Sequence, residues 1–323
     1  MGQGRMRLGV VGRADDPISD HTDRLARARG HEVVRLPLAG LLEGVPAAFD
    51  GTGWLFAGEE LDACDAFLVR QYLVAHALLA PSETTHTAAD WFRRGMQQAE
   101  RAAFAQSLLL DLELRGKPMV NRLGATQQYD HKPLQLAVLG RLGVPLPRTL
   151  VTNFPRAVRL FIKEVGACIC KPLAGGAETR AVDDEMLARL DLVSAAPAIF
   201  QERVGGPDVR VTVVGARVIS SVAIESSTLD YRSGAAYRHG EANYTPHPLP
   251  PAVEQMCLRA AAALGQTLSG IDLKFAGGDV GLEGYVMLEA NSGPVYLDIE
   301  HKTGAGITDA IVDWLEAAAG PPR

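Results

Sequence analysis

The chain has 323 residues, 47% apolar but only 6% aromatic, with 32 basic residues against 38 acidic ones and a formal net charge of −6. That length exceeds the roughly 250–300 residues one core serves, so two or three packed units are expected. No apolar run approaches the roughly 20 residues that span a bilayer, and an acidic whole argues against broad nucleic-acid binding. The four cysteines, Cys64, Cys168, Cys170 and Cys257, form no C-x-x-C pair, which leaves neither a structural zinc site nor a disulfide framework. Met1-Gly-Gln-Gly-Arg lacks a secretory apolar core, and Met6 stands where a myristoylation signal carries Ser or Thr. The expected address is therefore the cytoplasm.

In chain order, Arg7 to Gly12 is expected as a strand entering a turn, Asp20 to Gly30 as a helix, His31 to Leu36 as a second strand and Ala63 to Arg70 as a third. Alternating strands and helices imply a small parallel sheet. Gly9-x-x-Gly12 falls short of the full dinucleotide fingerprint. Ala88 to Gly116 carries apolar residues at helical spacing, Pro118 to Asn121 closes this first unit as a short strand, and the boundary falls near Asn121 to Thr126.

Lys132-Pro133 opens the next helix, Pro133 sitting in the first turn where helices tolerate it. Val144 to Val151 is an extended exit, Phe154 to Glu164 a helix, and Ala167 to Lys171 a strand followed by a loop with Gly175 and Gly176. A strand-end Lys before a glycine loop can hold a triphosphate, with backbone N–H groups and the ammonium meeting its oxygens; the alternative is a surface hairpin with a snorkelling Lys. Ala198 to Val204 is a strand, and Asp208 to Val214 with Arg217 to Ile224 a hairpin. Alternation puts Asp208, Arg210 and Thr212 on one face and Val209, Val211 and Val213 on the other. An Arg among strand valines needs an anion, either a ligand or a structural carboxylate. Asp230 to Glu241 reads as a loop, Pro251 to Leu264 as a helix and Thr308 to Ala319 as a closing helix.

Between those helices lie two apolar runs, Ser269 to Phe275 and Gly284 to Asn291, joined by the glycine-rich link Gly277 to Glu283. A link that short makes an antiparallel hairpin, since a parallel crossover needs a dozen or more residues. Folding the chain about it sets Asp272 opposite Leu288 and Glu289, and Glu289 and Asn291, two apart, share a face. Three hard oxygen donors then converge as a site for magnesium, against the plainer reading of a polar sheet face beside a turn.

This order of parts resembles the ATP-grasp superfamily and, within it, the RimK-like branch of ribosomal-protein glutamate ligases. The marks are Gln201-Glu202 before Asp208-Val-Arg210, Asp230-Tyr-Arg232-Ser233, Gly270-Ile-Asp272, Glu289-Ala-Asn291-Ser-Gly-Pro and Ile299-Glu-His-Lys-Thr-Gly304. They cover about residues 120–320. The resemblance implies an α/β (α+β) ATP-grasp fold. Residues 1–122 would form an N-terminal Rossmann-like pre-ATP-grasp domain, 123–197 a central subdomain and 198–323 a C-terminal subdomain with the magnesium site.

It further implies that Lys132 and Lys171, with the Gly175–Gly176 loop, hold the ATP phosphates. Gln201, Glu202, Arg203 and Val204 form the adenine hinge, and Asp208 lies near the ribose. Asp272, Glu289 and Asn291 ligate one or two magnesium ions, manganese being an alternative. Arg210 and Arg232 face the γ-phosphate and the carboxylate, with Ser233 and Arg238 as substrate contacts.

The implied activity is carboxylate–amine ligation through an acyl phosphate, releasing ADP and phosphate. The implied reactants are an amino acid such as glutamate and a protein, peptide or cofactor acceptor. The alternatives are a peptide ligase making side-chain amide or ester crosslinks, and a nucleotide-binding sensor without turnover. Family habit adds a homo-oligomer, a dimer or tetramer. The acidic charge and the lack of a bilayer-length apolar run lead to the expectation of no nucleic-acid or membrane partner.

Overall fold

The computed structural model describes residues 5–70, 88–127, 131–173, 179–225, 242–277 and 281–320. The chain divides into two compact units, Met1–Thr126 together with Thr308–Arg323, and Gln127–Ile307.

The first unit starts with β1 (Arg7–Val11) and β2 (Glu32–Leu36). Three short strands, β3 (Ala47–Phe49), β4 (Trp54–Phe56) and β5 (Glu59–Glu60), form a small antiparallel meander that no periodicity in the sequence marks. β6 (Ala66–Val69) and β7 (Met119–Val120) complete a parallel sheet of order β2-β1-β6-β7. Its central strands are near-continuous apolar runs because such a sheet is covered on both faces. The helix Pro17–Ala28 begins three residues before its expected start. Asp16 caps it by accepting from the Ser19 amide at 3.0 Å, and Pro17 occupies the first turn.

The long helix Ala88–Leu114 buries Ala105, Leu108, Leu109 and Leu112 against Trp54, Phe56 and Phe67. The closing helix Ile307–Ala319 belongs to this unit, not to the C-terminal subdomain expected for 198–323. Arg29 binds Asp309, Asp313 and Glu316 on it, and His31 Nε2 lies 2.7 Å from Glu316 Oε1.

The second unit holds two sheets. β8 (Thr149–Thr152), β9 (Cys168–Lys171), β10 (Arg180–Ala181) and β11 (Ala198–Glu202) form an antiparallel sheet of order β10-β9-β11-β8. Cys168, Cys170 and Phe200 pack with Val158, Phe161 and Ile162 of the helix Pro155–Val165. Because β11 lies between β8 and β9, the expected division at 197/198 falls inside this sheet. The second sheet contains β12 (Asp208–Val214), β13 (Arg217–Ile224), β14 (Tyr244–Pro246), β15 (Leu268–Phe275) and β16 (Tyr285–Asn291) in the order β14-β13-β12-β15-β16. One face packs on the helix Pro251–Ala263: Val209, Val211, Val213, Ile271, Leu273, Met287 and Ala290 meet Val253, Met256, Cys257 and Ala260. The turn into β12 needs glycine at Gly206, whose φ is +96° and where a Cβ would fall 2.1 Å from the Phe275 carbonyl oxygen.

Candidate active site

The face of the five-stranded sheet away from that helix carries the polar residues. Alternation along β12 sends Arg210 to this face, and it is only 5% exposed. Asp272 is its direct partner on β15, and the Arg210 Nη1 lies 3.2 Å from Asp272 Oδ1 while donating to the Gly270 carbonyl at 2.9 Å.

β15 and β16 pair as an antiparallel hairpin, with Asp272 opposite Glu289 and Leu273 opposite Met287. Leu288 is therefore the extra residue of a β-bulge, and the bulge reverses the alternation. Met287 and Ala290 both point into the core, so Glu289 and Asn291 emerge together on the side of Asp272. Without the extra residue Glu289 would oppose Ile271 and share its apolar face.

The Asn291 Nδ2 donates to Asp272 Oδ2 and to Glu289 Oε1, each at 3.1 Å. Asp272 and Glu289 are 9% and 8% exposed. Lys132, first residue of the helix Lys132–Arg141, brings Nζ to 3.5 Å from Glu289 Oε2. Among the described residues, each nearly buried carboxylate thus faces a cation, Asp272 meeting Arg210 and Glu289 meeting Lys132. Asp272 and Glu289 offer carboxylate oxygens, which suit a hard cation; Asn291 presents its Nδ2 to them and would add its Oδ1 only with the amide turned over.

Other expected residues lie elsewhere in the same unit. Asp208 pairs with Lys274, Nζ to Oδ1 2.9 Å, and Lys274 also donates to the Gly206 carbonyl at 3.2 Å. Lys171 ends β9 opposite Ile199; alternation places it with Gln201 on the face turned from the helix Pro155–Val165. Gln201 Nε2 donates to Thr149 Oγ1 at 2.8 Å. The Glu202 amide donates to the Arg148 carbonyl and the Arg203 amide to the Ala167 carbonyl, each at 2.9 Å, and the Glu202 carboxylate accepts from the Arg148 amide at 3.0 Å. Val204 follows on the half-buried exit of β11. The Ile299-to-Thr303 motif lies in the short helix Leu297–Thr303, ended by Gly304 at φ +73°, with Lys302 donating to the Ala242 carbonyl at 2.7 Å. Gly175, Gly176, Arg232, Ser233 and Arg238 lie outside the described residues.

Gln135, Gln266 and Lys274 are neighbours of the site that the sequence alone does not single out. A lone Gln at position 135 among Leu134, Leu136 and Leu139 is the one signal that was available. Among the described residues, no helix is long and apolar enough to cross a membrane.

Against known proteins, the RimK-like ATP-grasp domain matches residues 130–315. A probable alpha-L-glutamate ligase of Teredinibacter turnerae is 29% identical over 231 residues, covering 68% of this chain and 74% of the relative. Among solved structures, the ATP-grasp ligase PsnB complexed with minimal precursor superposes with a TM-score of 0.81 at 32% identity, covering 96% of this chain and 98% of PsnB. PsnB complexed with minimal precursor, Mg and ADP gives a TM-score of 0.78 at 31% identity over 97% of this chain and 98% of that one.

Proposed function

The chain belongs to the RimK-like ATP-grasp family, and from that premise we propose that it is an ATP-dependent ligase acting on a peptide. It activates a carboxylate as an acyl phosphate, and an amine or hydroxyl then attacks to give an amide or ester. A carboxylate oxygen of the substrate attacks the γ-phosphorus and ADP leaves. The second nucleophile adds to the acyl carbon, phosphate departs with the carboxylate oxygen, and the nucleophile's proton passes to solvent.

Asp272, Glu289 and Asn291 are the residues that would hold magnesium, or manganese with the same preference for oxygen. Bound with the nucleotide, the metal supplies charge neutralisation at the phosphate oxygens. Lys132 and Lys171 bind phosphate oxygens. Arg210, fixed by Asp272 and the Gly270 carbonyl, meets the planar carboxylate bidentately and stays charged throughout, and Arg232 shares that task. Phosphoryl transfer needs little beyond alignment and neutralisation, which is what this set of groups offers. Because the Glu202 and Arg203 amides are committed within the sheet, the donor to an adenine edge falls to Val204.

The observation that carries the peptide reading is the likeness to PsnB in complex with its precursor, which runs along nearly the whole chain and not only its nucleotide-binding part. A second reading, addition of glutamate to an acceptor, is favoured by the alpha-L-glutamate ligases. Mass spectrometry of a library of acid-rich peptides incubated with protein, magnesium-ATP and glutamate separates them. Crosslinking is read as loss of one water per bond without glutamate, and chain extension as gain of a glutamyl residue. ATP bound without either product would overturn both readings in favour of a sensor.

A further inference from the structure

β16 is the outer strand of its sheet, so its far side presents unpaired backbone groups, and an open edge of that kind is usually covered. Here the cover is specific. The Met287 amide donates to the Pro145 carbonyl at 2.8 Å. At Ala290, the residue between Glu289 and Asn291, the edge is closed by one side chain. Gln135 Nε2 donates to the Ala290 carbonyl at 2.7 Å, and the Ala290 amide donates to Gln135 Oε1 at 2.9 Å. The side-chain amide reproduces both bonds of a strand neighbour, and its orientation is fixed because the Ala290 N–H can only donate.

A second glutamine backs it: Gln266 Nε2 donates to the same carbonyl at 3.1 Å, and Ser269 Oγ donates to Gln266 Oε1 at 2.6 Å. Gln135, Gln266 and Ser269 are 4%, 3% and 0% exposed. Such a buried network acts as a rigid frame when every member is satisfied. Gln135 stands three residues after Lys132 on one helix, so the two share a face. The clamp therefore ties the backbone between two site residues to the helix whose Lys132 meets Glu289.

We propose that Gln135, seconded by Gln266, is the positioning residue of this site: it sets the Glu289 and Asn291 side chains for magnesium and fixes Lys132 in the same frame. This inference rests on the reading of Asp272, Glu289 and Asn291 as the metal-holding set. Partners of this kind, one shell out from a metal, typically govern about 10–100-fold in metal affinity.

The test is ADP binding by calorimetry to the full chain across a magnesium titration, and again in chelator, for wild type, Gln135→Met and Gln135→Glu. Gln135→Met, close in volume and unable to hydrogen-bond, should raise the half-saturating magnesium concentration about tenfold or more while leaving ADP affinity in chelator near the wild-type value. Gln135→Glu keeps an acceptor for the Ala290 amide and loses the donor, so it should fall between the two. If the Met variant does not fold, the Glu variant alone decides, with a severalfold shift expected and none overturning the proposal. An unchanged magnesium requirement in a folded Met variant overturns it, as does an equal loss of affinity with and without magnesium, which would mean general loosening. A wild type whose ADP affinity ignores magnesium would instead contradict the metal site itself.

Discussion

Arg210 reaches across to Asp272, its partner on the adjacent strand, and the same Nη1 that lies 3.2 Å from the carboxylate also bonds the Gly270 carbonyl at 2.9 Å. The guanidinium can sit there only because residue 270 has no side chain. A Cβ at Gly270 would fall 2.5 Å from Pro294 Cβ and 2.9 Å from Arg210 Nη1. Gly270→Ala should therefore cost about 1–3 kcal/mol of stability by overpacking and lower kcat far more than it weakens nucleotide binding. Thermal melts and steady-state kinetics check this; a normal kcat would mean that Arg210 is not set by this contact.

Removing one charge from the metal-holding set should be severe for chemistry and should also lower stability. Asp272→Asn and Glu289→Gln keep side-chain shape but turn one acceptor oxygen into a donor and take away the carboxylate charge that faces Arg210 or Lys132. A thermal melt should therefore accompany each activity measurement to show that the variant is folded. ADP formation should fall by about a hundredfold or more, the scale on which a charge-stabilising group acts. Near-normal turnover in both variants would reject the assignment.

The first unit is closed by the last helix of the chain through Arg29, which holds Asp309, Asp313 and Glu316. Arg29→Ala leaves three acids facing one another without their common cation. At 24% side-chain exposure the expected loss lies between surface and buried pairs, roughly 1–3 kcal/mol. Denaturant melts at low and high salt should show the difference from wild type shrinking with ionic strength.

His247 sits at the other end of the β15–β16 hairpin, with Nε2 2.6 Å from the Tyr285 hydroxyl and the Phe275 ring tilted against it at 6.0 Å between centroids. Burial holds its pKa below the usual 6.5. The folded state thus prefers neutral imidazole, while the unfolded chain takes up a proton at the ordinary value. Stability contributed by this group is fully present above about pH 6.5 and is lost as pH falls toward the lower folded value. The melting temperature of wild type should drop over that window more steeply than that of His247→Gln; parallel profiles would assign the effect to other groups.

Much of the candidate site is legible in the sequence because it depends on local rules. A short glycine link makes a hairpin, and alternation gathers Asp208 with Arg210 and Glu289 with Asn291. Those rules bring Asp272 to the level of Leu288 and Glu289. They cannot show that Leu288 is a bulge, since no residue type there marks the extra position, yet the bulge turns Glu289 outward.

What lay beyond reach depends on distant partners. Gln135 is one polar residue on an apolar helix until Ala290 is placed beside it. The closing helix reads as part of the segment before it in sequence, whereas Arg29 and His31 bind it to the first unit. The family resemblance starts a new subdomain at β11, but the hydrogen bonds of that strand run back to β8 and β9.

The central claim is that a substrate carboxylate is phosphorylated by ATP. With a peptide that proves to be a substrate, its carboxylates labelled with oxygen-18, each turnover should yield ADP and place one labelled oxygen in inorganic phosphate. AMP carrying the label would mean an adenylate, and ADP with unlabelled phosphate would mean that water, not the carboxylate, took the phosphoryl group; either result contradicts the account.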